Sequence, residues 1–494
     1  MDFKNVAGKV SLGLAAAVMS FSANAAEKVT FTKDVLPILQ ENCQDCHRPG
    51  GANLGGMVAP MAFMSYKEVR PWAKAIQKAV VSKEMPPWDA APEFDGHFAN
   101  QRTLTQSEID TIVEWVQSGV PRGAAKDAPE PRQWDDSSDW TIGKVDLVSE
   151  MPEAYFVEDD VQDIYVNFYD KLTEEELATD RYIKAVEFKP GSSVVHHIIS
   201  NPLGGIAPGN DPNVNPEGYG SIIRKGTSVS FDMHYHKEPG AGTGTWDQSS
   251  AGVVFYPEGY VPEHEIRSSL LANLSFRIPA GDSNYVEHAS ETFDQEIEIM
   301  GFTPHMHLRG KSAKYEVKYP DGTMETLLEV PAYDFNWQTS YKYSEHKVLP
   351  AGSSVELTMA WDNSTENPYN PDPTKDVVFG EPTTDEMFFG FMSYAYVDEP
   401  RDTRVSQMVL GKYIGKYKLE GDLPMVLTIG MEAGKLTVAI PGQDPTPLMA
   451  ESETRFSLAD LGLTITFDTI EGGLAKSLQA KLLGDTHTAV KISD

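Results

Sequence analysis

The sequence predicts a multidomain, mainly β chain. A small all-α domain comes first, then two antiparallel β-sandwich (jelly-roll-like) halves, then a small C-terminal β-barrel-like domain. Three observations carry this reading. At 494 residues the chain is too long for one ordinary hydrophobic core. Helix-capping patterns followed by helical periodicity occur in its first quarter. Beyond that, apolar and polar residues alternate in short runs broken by turn residues, as in strands. The divisions read from these signals are 1–25 (leader), 28–125 (helical), 126–150 (linker), 151–272 and 273–402 (the two halves) and 411–494 (accessory β domain).

Composition narrows the partners. The chain carries 73 acidic and 41 basic residues, for a net charge of −32, which disfavours nucleic acid and anionic membranes and fits a solvated acidic surface. Lys4 and Lys9, the apolar run Val10 to Met19 and the small-x-small triplet Ala23-Asn24-Ala25 read as an export signal cleaved near Ala25. That run is too short to span a bilayer and no later run approaches about 18 apolar residues, so the expectation is a periplasmic protein without membrane insertion. The lack of a cysteine near the cleavage site argues against a lipid anchor there.

In the helical segment, a first helix is expected from about Asp34 to Cys43. Ser65 and Glu68 form a capping-box pattern ahead of Val69, Trp72, Ile76 and Val80, and Thr105 and Glu108 repeat it ahead of Ile109, Ile112, Val113 and Val116, with Gly119 as the stop. The only two cysteines fall in Cys43-Gln44-Asp45-Cys46-His47. This is the C-x-x-C-H pattern of a c-type haem, in which two thiols form thioethers and the histidine reaches the iron from the same turn. A zinc site would need a second cysteine pair, and a redox dithiol would follow a strand at a helix start. One covalent haem is therefore expected, within a segment that resembles the cytochrome c family. Met85, held between Glu84 and Pro86-Pro87-Trp88, is the preferred sixth ligand; Met57, Met61, Met64 and His97 stay open as alternatives.

Residues 123–139 are rich in Pro, Asp and Ala and read as a linker. In the β region Tyr315, Val317 and Tyr319 alternate with charged residues, and Asp321-Gly322 closes a hairpin. Twelve histidines placed at random would give on the order of half a close pair, yet three occur: His196-His197, His234-x-His236 and His305-x-His307. Residues i and i+2 of a strand share a face, so each H-x-H can converge on one ion. Adjacent His196 and His197 need a bulge or a strand end to do the same. His264, His288, His346 and His487 are read as ordinary exposed or core-satisfied histidines. Imidazole suits several metals, and a thioether such as Met387 favours reduced copper.

The order of these clusters resembles the copper type II monooxygenases, the group of peptidylglycine α-hydroxylating monooxygenase and dopamine β-monooxygenase. The matching segments are Val195-His196-His197, Met233-His234-Tyr235, Pro304-His305-Met306-His307 and Asp385-Glu386-Met387. Tyr333-Asp334-Phe335-Asn336-Trp337-Gln338 and Trp361-Asp362-Asn363 look like the bacterial branch of the group. The resemblance implies two copper ions, one held by His196, His197 and His234 and used for electron transfer. The other, held by His305, His307 and Met387, would be the catalytic one. It further implies hydroxylation of a C–H bond of a small organic substrate with O2. The two electrons per turnover would come from a periplasmic donor through the haem. Two departures stand out. No cysteine follows Cys46, although the animal enzymes carry disulfides in both halves, and His236 has no counterpart in the family pattern. Spacing alone pairs His236 with His234; the resemblance leaves it outside the ligand set. A non-catalytic copper and haem electron-transfer or copper-handling protein, and a copper enzyme of another reaction type, remain the competing readings. In the tail, Leu436, Val438 and Ile440 alternate, as do Leu463, Ile465 and Phe467; it resembles the small β appendages of some secreted bacterial hydrolases and carries no evident chemistry.

Overall fold

The computed structural model describes residues 28–49, 59–134, 140–207, 210–398, 405–420, 425–432, 434–440, 445–458, 462–468, 474–482 and 485–493. The expected leader (1–25), its cleavage site and the alternative haem ligand Met57 lie outside the described residues. Among the described residues no helix is long and apolar enough to cross a membrane.

The fold class differs from the expected one. Strand accounts for 41% of the chain and helix for 12%, and that small share is spread over short pieces, so no all-α cytochrome c domain forms. The longest helix among the described residues, Gln106–Gln117, has 12 residues. It starts where the sequence places it: Thr105 and Glu108 form the full reciprocal capping box. The stretch from Ser65 is broken into Tyr66–Val69, a 3-10 turn Arg70–Trp72 and Ala73–Val81, because Pro71 supplies no N–H to a continuous α ladder. Caps and periodicity mark where a helix begins, not what it packs against.

Nor do two jelly-roll halves describe the β region. It divides into blade-like four-stranded antiparallel sheets, a six-stranded sheet, two small ribbons and a nine-stranded sheet. One four-stranded sheet runs Asp163–Lys171, Ser228–His236, Val195–Ser200, Gly204–Ile206; it shares a core around Val195, Ile198, Phe231 and Tyr235 with the six-stranded sheet. A second runs Arg267–Ala272, Phe389–Tyr396, Ile297–His305, Tyr341–Leu349. The third runs Tyr285–Thr292, Ser354–Trp361, Gly310–Lys318, Met324–Val330, and these two bury a common core around Phe302, Tyr315, Leu357 and Trp361. The expected hairpin is present here, with Gly322 at φ +87° in its turn. The C-terminal sheet is a near-barrel: its two edge strands, Thr446–Pro447 and Met449–Ala450, are adjacent in sequence.

The stretch between the helices Ala73–Val81 and Gln106–Gln117 departs furthest from the all-α expectation. Trp88, Ala91, Phe94 and Phe98 leave the helical core and bury in that of the second and third sheets. The backbone follows them. Ala91 N–H donates to Glu329, Ala99 N–H to Lys342, and the His97 carbonyl accepts from Ser344. Residues 88–100 thus form a strap over the open edges of both sheets, which satisfies edge groups that would otherwise face water.

Asp89 on this strap is pushed up to about 7 by burial, with Asp334 adding repulsion. Between about pH 4 and 7 the folded state therefore keeps a proton that the unfolded chain has released, so the contribution of Asp89 to stability is fully present below about pH 4 and is lost as pH rises towards 7. Asp89→Asn should remove that slope: urea midpoints of variant and wild type should coincide near pH 4, and at pH 8 the variant should be more stable by on the order of 2 kcal/mol. Parallel pH–stability curves would show that Asp89 is solvated in the folded protein.

Candidate metal centre

Two neighbouring strands bring His196, His197 and His234 together. The pairing of Val195–Ser200 with Ser228–His236 shifts register between Val195 and His197. That bulge is the irregularity two adjacent histidines need to face one point. The Nδ1 atom of His197 lies 3.3 Å from Nδ1 of His196 and 3.4 Å from Nδ1 of His234. Three nitrogens each about 2.0–2.1 Å from one ion in tetrahedral directions would stand about 3.3–3.4 Å apart.

Hydrogen bonding alone accounts poorly for this cluster. His234 Nε2 is 2.5 Å from Asp163 Oδ1, so the ring proton sits on Nε2 and Nδ1 is a bare lone pair. A neutral His197 can donate its single Nδ1 proton to at most one of its two neighbours. Burial and the mutual repulsion of the rings lower the basicity of His196 and His197, and burial lowers that of His234, so all three are neutral with lone pairs free at pH 7. Asp163, with no local signal in the sequence, is the group that orients His234. Burial alone would raise its carboxyl, but the His234 hydrogen bond, His236 and the Thr383 hydroxyl hold it well below the usual carboxylate range. A carboxylate behind a ligating histidine is the usual support of a metal site.

His236 stands apart. Its Nδ1 is 3.5 Å from Asp163 Oδ1, too long for a good hydrogen bond, and its side chain is 36% exposed. Asp163, His234 and His236 do form a second cluster of potential ligand atoms. The short His234–Asp163 contact, however, is that of a hydrogen bond rather than of two ligands spread around an ion.

His305 ends the Ile297–His305 strand and His307 lies in the turn beyond it. A Cβ on Gly310, which closes that turn, would come within 2.7 Å of the Tyr333 ring, so only glycine fits there. His305 Nδ1 is 2.9 Å from Gln338 Oε1, and His307 Nδ1 is 3.3 Å from the Asp385 carbonyl. Both acceptors fix the proton on Nδ1, and both Nε2 atoms are buried with no hydrogen-bond partner among the described residues. Burial lowers His305 to about 4 and His307 to about 3, so these rings too are neutral. Two buried nitrogen lone pairs thus stand without a donor in the described structure.

Met387 is buried on the segment that reaches this turn. Its neighbour Glu386 accepts from the backbone N–H groups of His307 (2.8 Å) and Arg309 (2.7 Å) and from Trp361 Nε1 (3.1 Å). Burial pushes the Glu386 carboxyl up to about 7, and these three donors hold the level down to that. The sequence singles out Glu386 only as the middle of a motif; here it fastens the Met387 segment to the His307 turn.

The two histidine groups adjoin. The His197 and His305 rings are perpendicular with centroids 5.5 Å apart, and Phe335 stacks on His196 at 4.6 Å while meeting His307 edge-on at 6.1 Å. The fold and the site together define a β-rich protein whose buried histidine cluster, His196, His197 and His234, can hold a metal ion. No known protein-family model and no curated protein matches the chain.

At the other end of the chain, Cys43 and Cys46 are unpaired thiols. The His47 N–H donates to Cys43 at 2.9 Å, closing the turn that carries all three residues. The His47 Nδ1 is 3.1 Å from the Met61 carbonyl, which leaves the lone pair on Nε2, and the ring stacks on Phe63 at 4.3 Å. Met85 is half-buried where the strap begins.

Proposed function

We propose that this chain is a copper-dependent monooxygenase that converts R–H, O2, two electrons and two protons into R–OH and water, with a covalently attached haem c relaying the electrons. The observation that carries the reading is the pair of adjoining, buried, neutral histidine groups whose hydrogen bonds leave lone pairs without donors. Nitrogen and thioether ligands, with no thiolate or carboxylate among them, suit copper in its reduced state.

His196, His197 and His234 would hold one copper through Nδ1, and His305 and His307, with Met387, the other through Nε2. Copper, when bound, supplies the one-electron steps and the activation of O2. Asp163, Gln338 and the Asp385 carbonyl hold the ring protons away from the ligating atoms, and Phe335 keeps water from the space between His196 and His307. Cys43 and Cys46 would form the thioethers and His47 the axial bond, with Met85 as sixth ligand and Met57, Met61, Met64 and His97 as its rivals. A periplasmic reductant is the proposed donor to the haem. This division of labour gives the fused N-terminal segment a purpose, since each turnover needs two electrons.

The test is metal analysis with optical spectroscopy on protein exported to a periplasm. One haem and two coppers are expected, with reductant-dependent O2 uptake that rises on adding a substrate from a panel of small organic molecules. His305→Ala or Met387→Leu should lower product formation at least 100-fold while leaving the first copper loaded. Preferential uptake of zinc, with no O2 chemistry once copper is loaded, would end this reading. Two coppers and one haem without O2 uptake would leave an electron-transfer protein.

A further inference from the structure

Ser340, two residues beyond Gln338, is held from three separate parts of the chain. Its N–H donates to Asn210 Oδ1 at 2.7 Å. Its carbonyl accepts from Asn100 Nδ2 at 2.7 Å. Its hydroxyl accepts from Thr303 at 2.8 Å, and Thr303 lies two residues before His305 on the same strand. Asn100 grips from both sides, because its Oδ1 also accepts the Lys342 N–H at 3.0 Å. Arg102, just beyond, pairs with Asp211 beside Asn210.

Gln338 sits at the end of this clamp. Its Nε2 donates to the Phe335 carbonyl at 3.3 Å, which turns Oε1 towards His305. The orientation of the His305 ring, and hence of its unpartnered Nε2, therefore depends on a backbone segment pinned by the N-terminal strap. We propose that Asn100 is a positioning residue for the His305–His307 metal site: through Ser340 and Gln338 the N-terminal segment sets the geometry of that site. The inference rests on reading His305 and His307 as metal ligands. It gives the strap a role beyond covering sheet edges. The N-terminal segment is fastened where it can act on the site.

The physical reason is mechanical. Removing one partner of a bidentate side-chain clamp frees the backbone between its two anchors, and an orienting group one step behind a ligand typically governs metal affinity by 10- to 100-fold. Asn100 acts one step further back, so the lower end of that range applies.

The experiment compares full-length wild type, Asn100→Ala and Asn100→Asp. Asn100→Asp keeps the acceptor for Lys342 and loses the donor to Ser340. In metal-free protein, amide exchange across residues 338–342 should quicken about 10-fold in Asn100→Ala, with residues 195–200 unchanged. Copper titration followed by electron paramagnetic resonance should show affinity at the His305–His307 site falling about 10-fold, with Asn100→Asp between the two. Affinity at the three-histidine site should stay within about 2-fold. Equal weakening of both sites with a lowered melting temperature, or faster exchange with unchanged copper affinities, would overturn the proposal. If wild type binds no copper at His305 and His307, the monooxygenase reading falls, and the exchange measurement alone decides the clamp: unchanged exchange removes it.

Discussion

His234→Ala should strip the metal from the three-histidine cluster, lowering its affinity by more than about 100-fold, whereas His236→Ala should leave both coppers bound. The two residues sit on one strand face, so spacing gives no ground for treating them differently. Geometry does. His234 Nδ1 is 3.4 Å from His197 Nδ1 and its far nitrogen is anchored on Asp163. His236 reaches only the outer side of that same carboxylate, at 3.5 Å. Losing His234 removes a ligand, and it also leaves the Asp163 carboxylate without its principal donor, so remaining ligands cannot recover the site by a small shift. Losing His236 removes only a neighbour of Asp163, and a modest fall in affinity follows. Titrating both variants with copper against a chelator of known strength decides between them. A lost copper in His236→Ala with a retained one in His234→Ala would mean that the ion sits on the Asp163–His236 side of the ring.

What the sequence reveals about this site, and what it hides, follows from the range of the interactions. His196-His197 is legible as a pair that needs a backbone irregularity, because side-chain direction alternates along any strand, and the bulge is where that requirement puts it. The Thr105–Glu108 capping box is legible for the same reason: both partners lie within one turn. The roles of Asp163, Gln338 and Glu386 are not. Asp163 is one polar residue among many, Gln338 and Glu386 stand out only as members of the quoted segments, and each becomes part of the site through a partner 71, 33 or 79 positions away. The strap is hidden in another way. Ala91, Phe94 and Phe98 stand at i, i+3 and i+7, a helical spacing, so their pattern points to a helix face and not to the strap they form, although their bulk requires burial somewhere. The all-α expectation failed at this point, since the residues that would have completed a helical core were taken by the sheets.

Exported wild type should keep its haem through acid–acetone extraction, Cys43→Ala and Cys46→Ala should each keep at most one thioether, and the double variant should keep none. The helix Leu36–Asn42 runs directly into Cys43, and the His47 N–H closes on the Cys43 carbonyl, so both thiols and the imidazole lie on one short turn. The thiol chemistry discriminates between readings. Burial, with Cys46 nearby, pushes the Cys43 thiol up to about 12, and burial also raises Cys46. A redox dithiol needs the opposite, an attacking cysteine whose thiolate is stabilised near neutral pH. Two neutral, unpaired thiols do not fit that role, and the imidazole beside them, its Nδ1 proton given to Met61, keeps its Nε2 lone pair. His47→Ala should therefore retain covalent haem while losing the low-spin spectrum, which separates attachment from ligation. The single variants should shift the reduced α-band to longer wavelength, because one vinyl group stays conjugated with the ring. If wild type gives up all its haem to acid–acetone, or exports with two titratable thiols and no pigment, residues 43–47 do not bind haem covalently, and electrons reach the histidine centre by another route.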